Sequence, residues 1–319
     1  MARADLLINL VRAGAQGDQL GFRRTVEAIV AEERERQHHV VADRLAEFLT
    51  SSARRTDTSV PDDVRALVHE VHPARMLVDL VLPPLVVTAC RELVEEQHRV
   101  ELLRSYGLEP RHRVLLSGPP GNGKTSLAEA IAGELAVPMF VVRYDAIIGS
   151  FLGETAARLA RLFDHVRTRR CVLFFDEFDT LGKERGDDHE TGEVKRVVSS
   201  LLLNIDALPP HVTVVTATNH PELLDRAVWR RFQMRLSLPS PTARDIGTWI
   251  HRFERTHDLH LGASRALVTS TLRDVSFAEI EEFFADVQRR LVLDGPGADV
   301  TTVVSSRVRQ WKARRATRA

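Results

Sequence analysis

The chain has 319 residues, enough for about two domains and a small third, and its 44% apolar and 28% charged residues are ordinary for soluble proteins. Its formal net charge is zero, so no overall field attracts it to nucleic acid or to an acidic membrane surface. Two cysteines exclude a disulfide framework, and no apolar run is long enough to span a bilayer, so we expect a cytoplasmic protein.

The first 75 residues predict a small helical domain followed by a linker. Phe22, Val26 and Ile29 fall at i, i+4 and i+7 on one helix face. We therefore expect an all-α N-terminal domain over residues 1–50. The polar stretch "SSARRTDTSVPDD" predicts a linker over residues 51–75. Helical spacing also occurs near residues 64–71 and 85–105.

Apolar runs of strand length alternate with helical stretches from Arg111 onward. The runs are "RVLLSG", "MFVVRY", "CVLFFD", "VTVVTATN" and "MRLSLP". Near-continuous apolar strands separated by helices predict an α/β domain over residues 76–240, with a parallel sheet covered on both faces. The patterns are helical after Pro241, which predicts a helical subdomain and a C-terminal helix over residues 241–319.

The stretch "GPPGNGKTS" lies between the first of these strands and a helix. It matches GxxxxGK[ST], in which glycines turn backbone N–H groups toward phosphate oxygens at the positive end of the helix. Lys124 is expected to reach the β- and γ-phosphates of ATP, and the Thr125 hydroxyl to bind Mg²⁺. The lysine and both flanks argue against a plain glycine turn. The predicted nucleotide-binding residues are Gly118, Pro119, Pro120, Gly121, Asn122, Gly123, Lys124, Thr125, Ser126 and Asp176.

Polar side chains at the ends of two later strands predict hydrolysis of the bound nucleotide. Asp176, at the end of "CVLFFD", suits Mg²⁺ ligation through water, and Glu177 can act as general base for the attacking water. Asn219, at the end of "VTVVTATN", can orient that water. A solvated turn for the two carboxylates, and a cap on "HPELLD" for Asn219, are the alternatives.

An arginine pair completes the set of candidate catalytic residues. Arg230 and Arg231 are adjacent in "LLDRAVWRRF". Arginine stabilises charge on a transferred phosphoryl group, either in cis or from a neighbouring subunit. A surface basic pair without function is the alternative.

Together these motifs resemble the AAA family of the AAA+ ATPases, over about residues 75–295. "GLEPRHRVLLSGPPGNGKTSLAEAIAGEL" is similar to its Walker A region, and "VLFFDEFDTL" to its Walker B. "VTVVTATNHPELLDRAVWRRF" is similar to sensor 1 and the arginine-finger segment, in the form of the spastin and katanin branch. The resemblance implies a five-stranded parallel P-loop sheet, a C-terminal helical lid and a ring, usually a hexamer. Arg230 and Arg231 would serve the neighbour's nucleotide.

Further segments are interpreted from this resemblance. "IIGSFLGETAARLARLF" is similar to the first pore loop, which implies that Phe151 and Leu152 grip an unfolded polypeptide. A buried core position is the alternative for Phe151. Residues 183–196 would be the second pore loop. "VSFAEIEEF" stands in the sensor-2 place, which implies that Phe277 and Ala278 lie near the nucleotide without adding charge.

The resemblance implies an ATPase whose ring remodels, unfolds or disassembles a protein partner. Neutral net charge argues against nucleic acid as the partner. The alternative is a nucleotide-gated regulatory module that controls a partner with little mechanical work. The layout is similar to small bacterial AAA ATPases encoded beside subtilisin-like serine proteases, some in toxin–antitoxin or phage-defence pairs. A protease is therefore a candidate partner.

Overall fold

A computed structural model describes residues 6, 25–32, 61–147, 152–179, 191–262, 264–295 and 297–318. The chain divides into two compact units, residues 1–62 and 63–319. In the first unit, residues 25–32 are helical, with Val26, Ile29 and Val30 buried. The helix predicted from this spacing is confirmed there.

The elements from residue 62 onward are numbered in chain order. The helices are α1 (Asp62–Arg65), α2 (Pro84–His98), α3 (Val100–Ser105), α4 (Lys124–Glu134), α5 (Tyr144–Ile147), α6 (Leu152–Arg167), α7 (Thr191–Asp206), α8 (Arg226–Arg231), α9 (Ala243–His257), α10 (Ser264–Thr271), α11 (Phe277–Asp294) and α12 (Val300–Arg318). The strands are β1 (Val68–Val71), β2 (Arg113–Ser117), β3 (Met139–Val142), β4 (Cys171–Phe175), β5 (Val212–Thr218) and β6 (Met234–Ser237). Short 3-10 turns cover Leu77–Asp79 and Pro221–Leu223.

The strands form one sheet in the order β1-β3-β4-β5-β2-β6. The five predicted strands, β2 to β6 in chain order, are confirmed and are all parallel to one another. Every residue of β4 and β5 is buried, as expected for a parallel sheet covered on both faces. Because the carboxyl ends of parallel strands share one edge, the segments that follow β2, β4 and β5 meet there.

Strand β1, which the sequence did not predict, corrects part of the sequence interpretation. Val64, Leu67, Val68 and Val71 have helical spacing, yet Val68–Val71 forms β1 and pairs antiparallel with β3. The helical prediction for residues 64–71 is therefore wrong over this strand. Pairing with a neighbouring strand outweighs local spacing in so short a segment. The strand also lies inside the predicted linker, so the sheet begins before residue 75.

Hydrophobic side chains of the second unit are buried against the sheet and among the C-terminal helices. One cluster packs against the sheet, with buried side chains between Leu77 and Leu238, and another lies among α9, α10, α11 and α12. Trp249 stacks on Phe253 with ring centroids 5.5 Å apart. The predicted C-terminal helices are confirmed as α9, α11 and α12. Within the described ranges, no helix is both long and apolar enough to cross a membrane.

Residues 74–79, here called the strap, run along the surface of α4. The Ala74 N–H donates to Glu129 Oε1 at 3.1 Å. The Leu77 N–H donates to Glu134 Oε1 at 3.0 Å, and the Leu77 side chain is buried. The strap is thus held against the helix that follows the phosphate loop.

Gly133 permits this close approach, and its replacement by alanine should destabilise the fold. A Cβ atom at Gly133 would lie 2.3 Å from the Arg75 carbonyl oxygen. We expect Gly133→Ala to lower the free energy of unfolding by about 2 kcal/mol, because the strap must move away. Gly247→Ala in α9 is the control, since no atom lies within 4 Å of a Cβ added there. Its free energy of unfolding should rise by up to about 1 kcal/mol. Urea unfolding measures both, and a stabilised Gly133→Ala chain would refute the contact.

Candidate nucleotide-binding site

The phosphate loop connects β2 to α4 through backbone conformations that favour glycine. Gly118, Gly121 and Gly123 have φ values of 145°, 74° and 82°, a region that side chains with a Cβ rarely adopt. A Cβ at Gly118 would also lie 2.2 Å from the Leu238 carbonyl oxygen. These glycines leave the backbone N–H groups of the loop free to face a phosphate chain at the start of α4.

Lys124 joins the loop to the end of β5. Its Nζ donates to the Gly118 and Pro119 carbonyls at 2.7 and 3.0 Å, and to Asn219 Oδ1 at 2.6 Å. Lys124 is only 6% exposed. Burial lowers the pKa of its ammonium group, and the negative charges of Asp176 and Asp179 oppose this shift. Two residues predicted from separate motifs, Lys124 and Asn219, therefore meet.

Thr125 and Asp176 also meet, as predicted for a shared cation. The Thr125 hydroxyl donates to Asp176 Oδ2 at 3.1 Å, and Asp176 is half-buried. A hydroxyl and a carboxylate are oxygen ligands of the kind that Mg²⁺ prefers, with phosphate and water oxygens completing its shell. The residues present thus fit the metal that the sequence implies.

Glu177 occupies an unusual backbone conformation directly after β4. Its φ is 46°, in the left-handed region, and its N–H donates to Asp176 Oδ1 at 2.9 Å. The next residue, Phe178, is buried edge-on between the rings of Phe175 and Phe232, each with centroids 6.1 Å away. Holding a non-glycine residue there costs about 1–3 kcal/mol. The aromatic anchor supports this turn, which leaves the Glu177 carboxylate exposed.

Asp179 is a site residue that sequence reasoning missed. It is 2% exposed, and its Oδ1 accepts from the Thr218 hydroxyl at 2.9 Å and from the Asn219 N–H at 3.4 Å. These bonds fix the end of β5, so that the Asn219 side chain faces Lys124. A third carboxylate two residues after Glu177, beside an aromatic residue, is the sequence signal that could have identified it.

The helical subdomain contacts the phosphate loop directly. The Ala278 N–H donates to the Gly121 carbonyl at 2.9 Å, and the Phe277 N–H to Asn122 Oδ1 at 3.3 Å. Asn122 is 3% exposed. Phe277 and Ala278 therefore lie at the loop, as the sequence implied, and bring backbone N–H groups rather than a charge.

The arginine pair is not held beside the loop of its own chain. Arg231 Nε donates to Asp206 Oδ2 at 2.8 Å, and Arg113 donates to the other oxygen of that carboxylate at 2.6 Å. Arg113 begins β2, and Gly118 follows its end, so the two lie about 16 Å apart along the strand. Arg230 is exposed on the same turn of α8. The sequence did not point to Asp206 as a partner.

The predicted pore loops fall largely outside the described residues. Phe151 lies outside them, and α6 begins at the next residue, Leu152, whose side chain is not described. Of the second pore loop, residues 183–190 also lie outside, and residues 191–196 belong to α7.

Comparisons with known proteins identify relatives of this chain. Residues 114–240 match the model of the "ATPase family associated with various cellular activities (AAA)". An "Uncharacterized AAA family ATPase y4kL" from Sinorhizobium fredii is 35% identical over 303 residues, which cover 92% of this chain and 91% of that relative. "ATP-dependent zinc metalloprotease FtsH 1" from Methylacidiphilum infernorum is 36% identical over 170 residues, 50% of this chain and 27% of that protein.

A solved structure gives the same fold. The AAA domain of FIGL-1 superposes with a TM-score of 0.61 at 21% identity, over 80% of this chain and 90% of that one. Identity this low supports the architecture alone. The similarity to the Sinorhizobium relative is the stronger finding, because it extends over nearly the whole of both chains. The chain belongs to the AAA family of ATPases.

Proposed function

We propose that copies of this ATPase assemble into a ring, with a hexamer as the expected form, and that ATP hydrolysis there remodels, unfolds or disassembles a protein partner. The observation that carries the proposal is the 2.6 Å contact of Lys124 Nζ with Asn219 Oδ1. It brings the phosphate loop and the end of β5 together beside the carboxylates that follow β4. Similarity to a protein named an ATP-dependent metalloprotease supports a protein partner.

The phosphate loop would hold the triphosphate of ATP. Backbone N–H groups of the loop and of the first turn of α4 donate to phosphate oxygens, and the positive end of the helix dipole adds to their effect. Lys124, now bonded to loop carbonyls and to Asn219, exchanges these partners for the β- and γ-phosphates. Its charge is not screened by bulk water, because the side chain is buried.

Glu177 and Asn219 would act on the attacking water. The exposed Glu177 carboxylate accepts the proton that this water loses, and the Asn219 amide orients the same water. Asp179 fixes the Asn219 backbone, so the amide needs little rearrangement. Thr125 and Asp176 would hold Mg²⁺, which neutralises charge on the phosphates when bound.

The arginine pair would act on the nucleotide of a neighbouring subunit. Arg231 lies near the start of β2, bonded to Asp206, whereas the loop follows the end of that strand. An arginine supplied in trans stabilises charge that develops on the transferred phosphoryl group. Each site would thus be complete only when two subunits meet.

We propose the reducing cytoplasm as the location of the protein. Its two cysteines, Cys90 and Cys171, are buried and free, which agrees with that compartment.

Replacing Phe151 with alanine tests whether this ring acts on polypeptide. An exposed aromatic can pack between the side chains of an unfolded chain without demanding sequence. We expect reduced, carboxymethylated α-lactalbumin to stimulate ATP hydrolysis by the unmodified protein and not by Phe151→Ala, while basal hydrolysis changes by less than about two-fold. Phe151→Tyr is the control and should retain stimulation. Stimulation that survives in Phe151→Ala would argue against threading by this loop.

A further inference from the structure

Arg75 places a guanidinium group at the first turn of α4, outside every motif discussed above. Its carbonyl oxygen passes Gly133, near the end of that helix, and its Nη1 donates to Ser126 Oγ at 2.7 Å. Gly133 lies seven positions after Ser126, about 10 Å along a helix. The Arg75 side chain therefore lies along α4 and carries its charge to the end where phosphates bind.

The position of this charge is not explained by packing alone. The Arg75 side chain is 50% exposed, and its Nη1 also lies 3.7 Å from Glu129 Oε2. A cation near a helix N-terminus is unfavourable unless an anion balances it, because the helix end is itself positive. Glu129 supplies part of that balance at a longer distance than the serine contact. A phosphate at the start of α4 would supply the rest.

We propose that Arg75 is an additional phosphate-binding residue that contacts the nucleotide at the α-phosphate, the phosphate next to the nucleoside; this inference rests on the proposed ATPase site. In the proposed site, Lys124 would bind the β- and γ-phosphates, and Thr125 would hold Mg²⁺. Ser126 follows these residues along α4, so the hydroxyl that Arg75 contacts is the next donor along the helix. Arginine binds phosphate oxygens through two parallel N–H bonds.

Arg75 supplies a positive charge that the helical subdomain does not bring to the phosphate loop. Charge-assisted hydrogen bonds from a positive side chain to phosphate are about twice as strong as neutral ones. Here the first turn of α11, which touches the loop, brings Phe277, Ala278 and Glu279, and no basic residue. The strap, which precedes the phosphate loop in the sequence, supplies a positive charge instead. Because the α-phosphate is common to ATP and ADP, Arg75 should strengthen the binding of both.

Titration calorimetry with Mg·ADP, together with steady-state ATP hydrolysis, tests this role in the full chain. Arg75→Gln should raise the ADP Kd and the ATP KM each by about 10-fold, with kcat changed by less than about two-fold, as for a contact made equally in ground and transition states. Arg75→Lys should recover part of the affinity. Glu129→Gln is the matched control, since it removes the ion pair but keeps the guanidinium, and its ADP Kd should stay within about two-fold.

Thermal unfolding without nucleotide separates binding from packing. Both variants remove the ion pair between Arg75 and Glu129, and Arg75→Gln also loses the exposed hydrogen bond to Ser126, so their midpoints should differ by only a few degrees. Unchanged ADP affinity in Arg75→Gln would overturn the inference, as would equal losses of affinity in both variants, and the ATPase site would stand. If the unmodified chain bound no ADP, the proposed function itself would fail together with this inference.

Discussion

Replacing Glu177 with glutamine is expected to lower the rate of ATP hydrolysis by roughly 100- to 10,000-fold while ATP binding is retained. Glutamine keeps the size of the side chain but cannot accept the proton of the attacking water. Glu177 is exposed on the turn after β4, so the change should leave the packing intact. Phosphate release measures hydrolysis, and the nucleotide that co-elutes with the protein measures binding.

Lys124→Ala is the comparison that separates turnover from binding. It removes the cation at the phosphates and should lose ATP binding as well as hydrolysis, whereas Glu177→Gln should lose hydrolysis alone. If Glu177→Gln hydrolysed ATP at the unmodified rate, the general base would be another residue.

The trapped Glu177→Gln form also distinguishes mechanical work from switching. A remodelling ring held with ATP should bind carboxymethylated α-lactalbumin stably, and it should not release the probe when more ATP is added. A nucleotide-gated regulatory module would need only the ATP-bound state, so the trapped form would exert full activity on its partner. Loss of that activity in the trapped form would favour turnover.

Replacing Arg231 with alanine is expected to reduce ATP hydrolysis by roughly 1,000-fold, because each nucleotide would lose the arginine of the neighbouring subunit. Mixing this variant with Lys124→Ala should restore part of the activity. In a mixed ring, a subunit with an intact loop can meet a neighbour with an intact arginine. Phosphate release from the mixture, compared with each variant alone, measures the recovery.

Arg226→Ala provides the control on the same helix. Arg226 is exposed at the start of α8, and its loss should change the rate by less than about two-fold. Arg231→Ala leaves Asp206 bonded to Arg113, so its unfolding midpoint should fall only slightly. A mixture that stays inactive while labelled subunits exchange would argue against a shared site.

The sequence predicted those parts of the fold that depend on local pattern. Five near-continuous apolar runs became the parallel strands because helices cover both faces of the sheet. Strand β1 was missed because its four residues do not alternate between buried and exposed positions, and only Val68 is buried. Its conformation is set by pairing with β3, a partner about 70 residues away that no local pattern reveals.

The candidate site divides in the same way. Lys124, Asp176 and Asn219 follow from strand ends and from a glycine-rich loop, whose chemistry is local. Asp179 and Arg75 were not assigned from the sequence, because their roles depend on contacts with Thr218 and Ser126, which are distant along the chain. Such charged side chains indicate a site only when the fold brings their partners together.

Phosphate release, measured over a wide range of chain concentrations with Mg²⁺ and ATP, tests most directly the proposal that two subunits share each ATPase site. Since Arg231 lies at the far end of β2 from its own phosphate loop, a lone subunit should hydrolyse ATP slowly. The specific activity should therefore rise steeply with concentration and then level off, and Lys124→Ala should stay inactive throughout. A specific activity that is the same at every concentration, from monomer to assembled ring, would contradict a site built from two subunits.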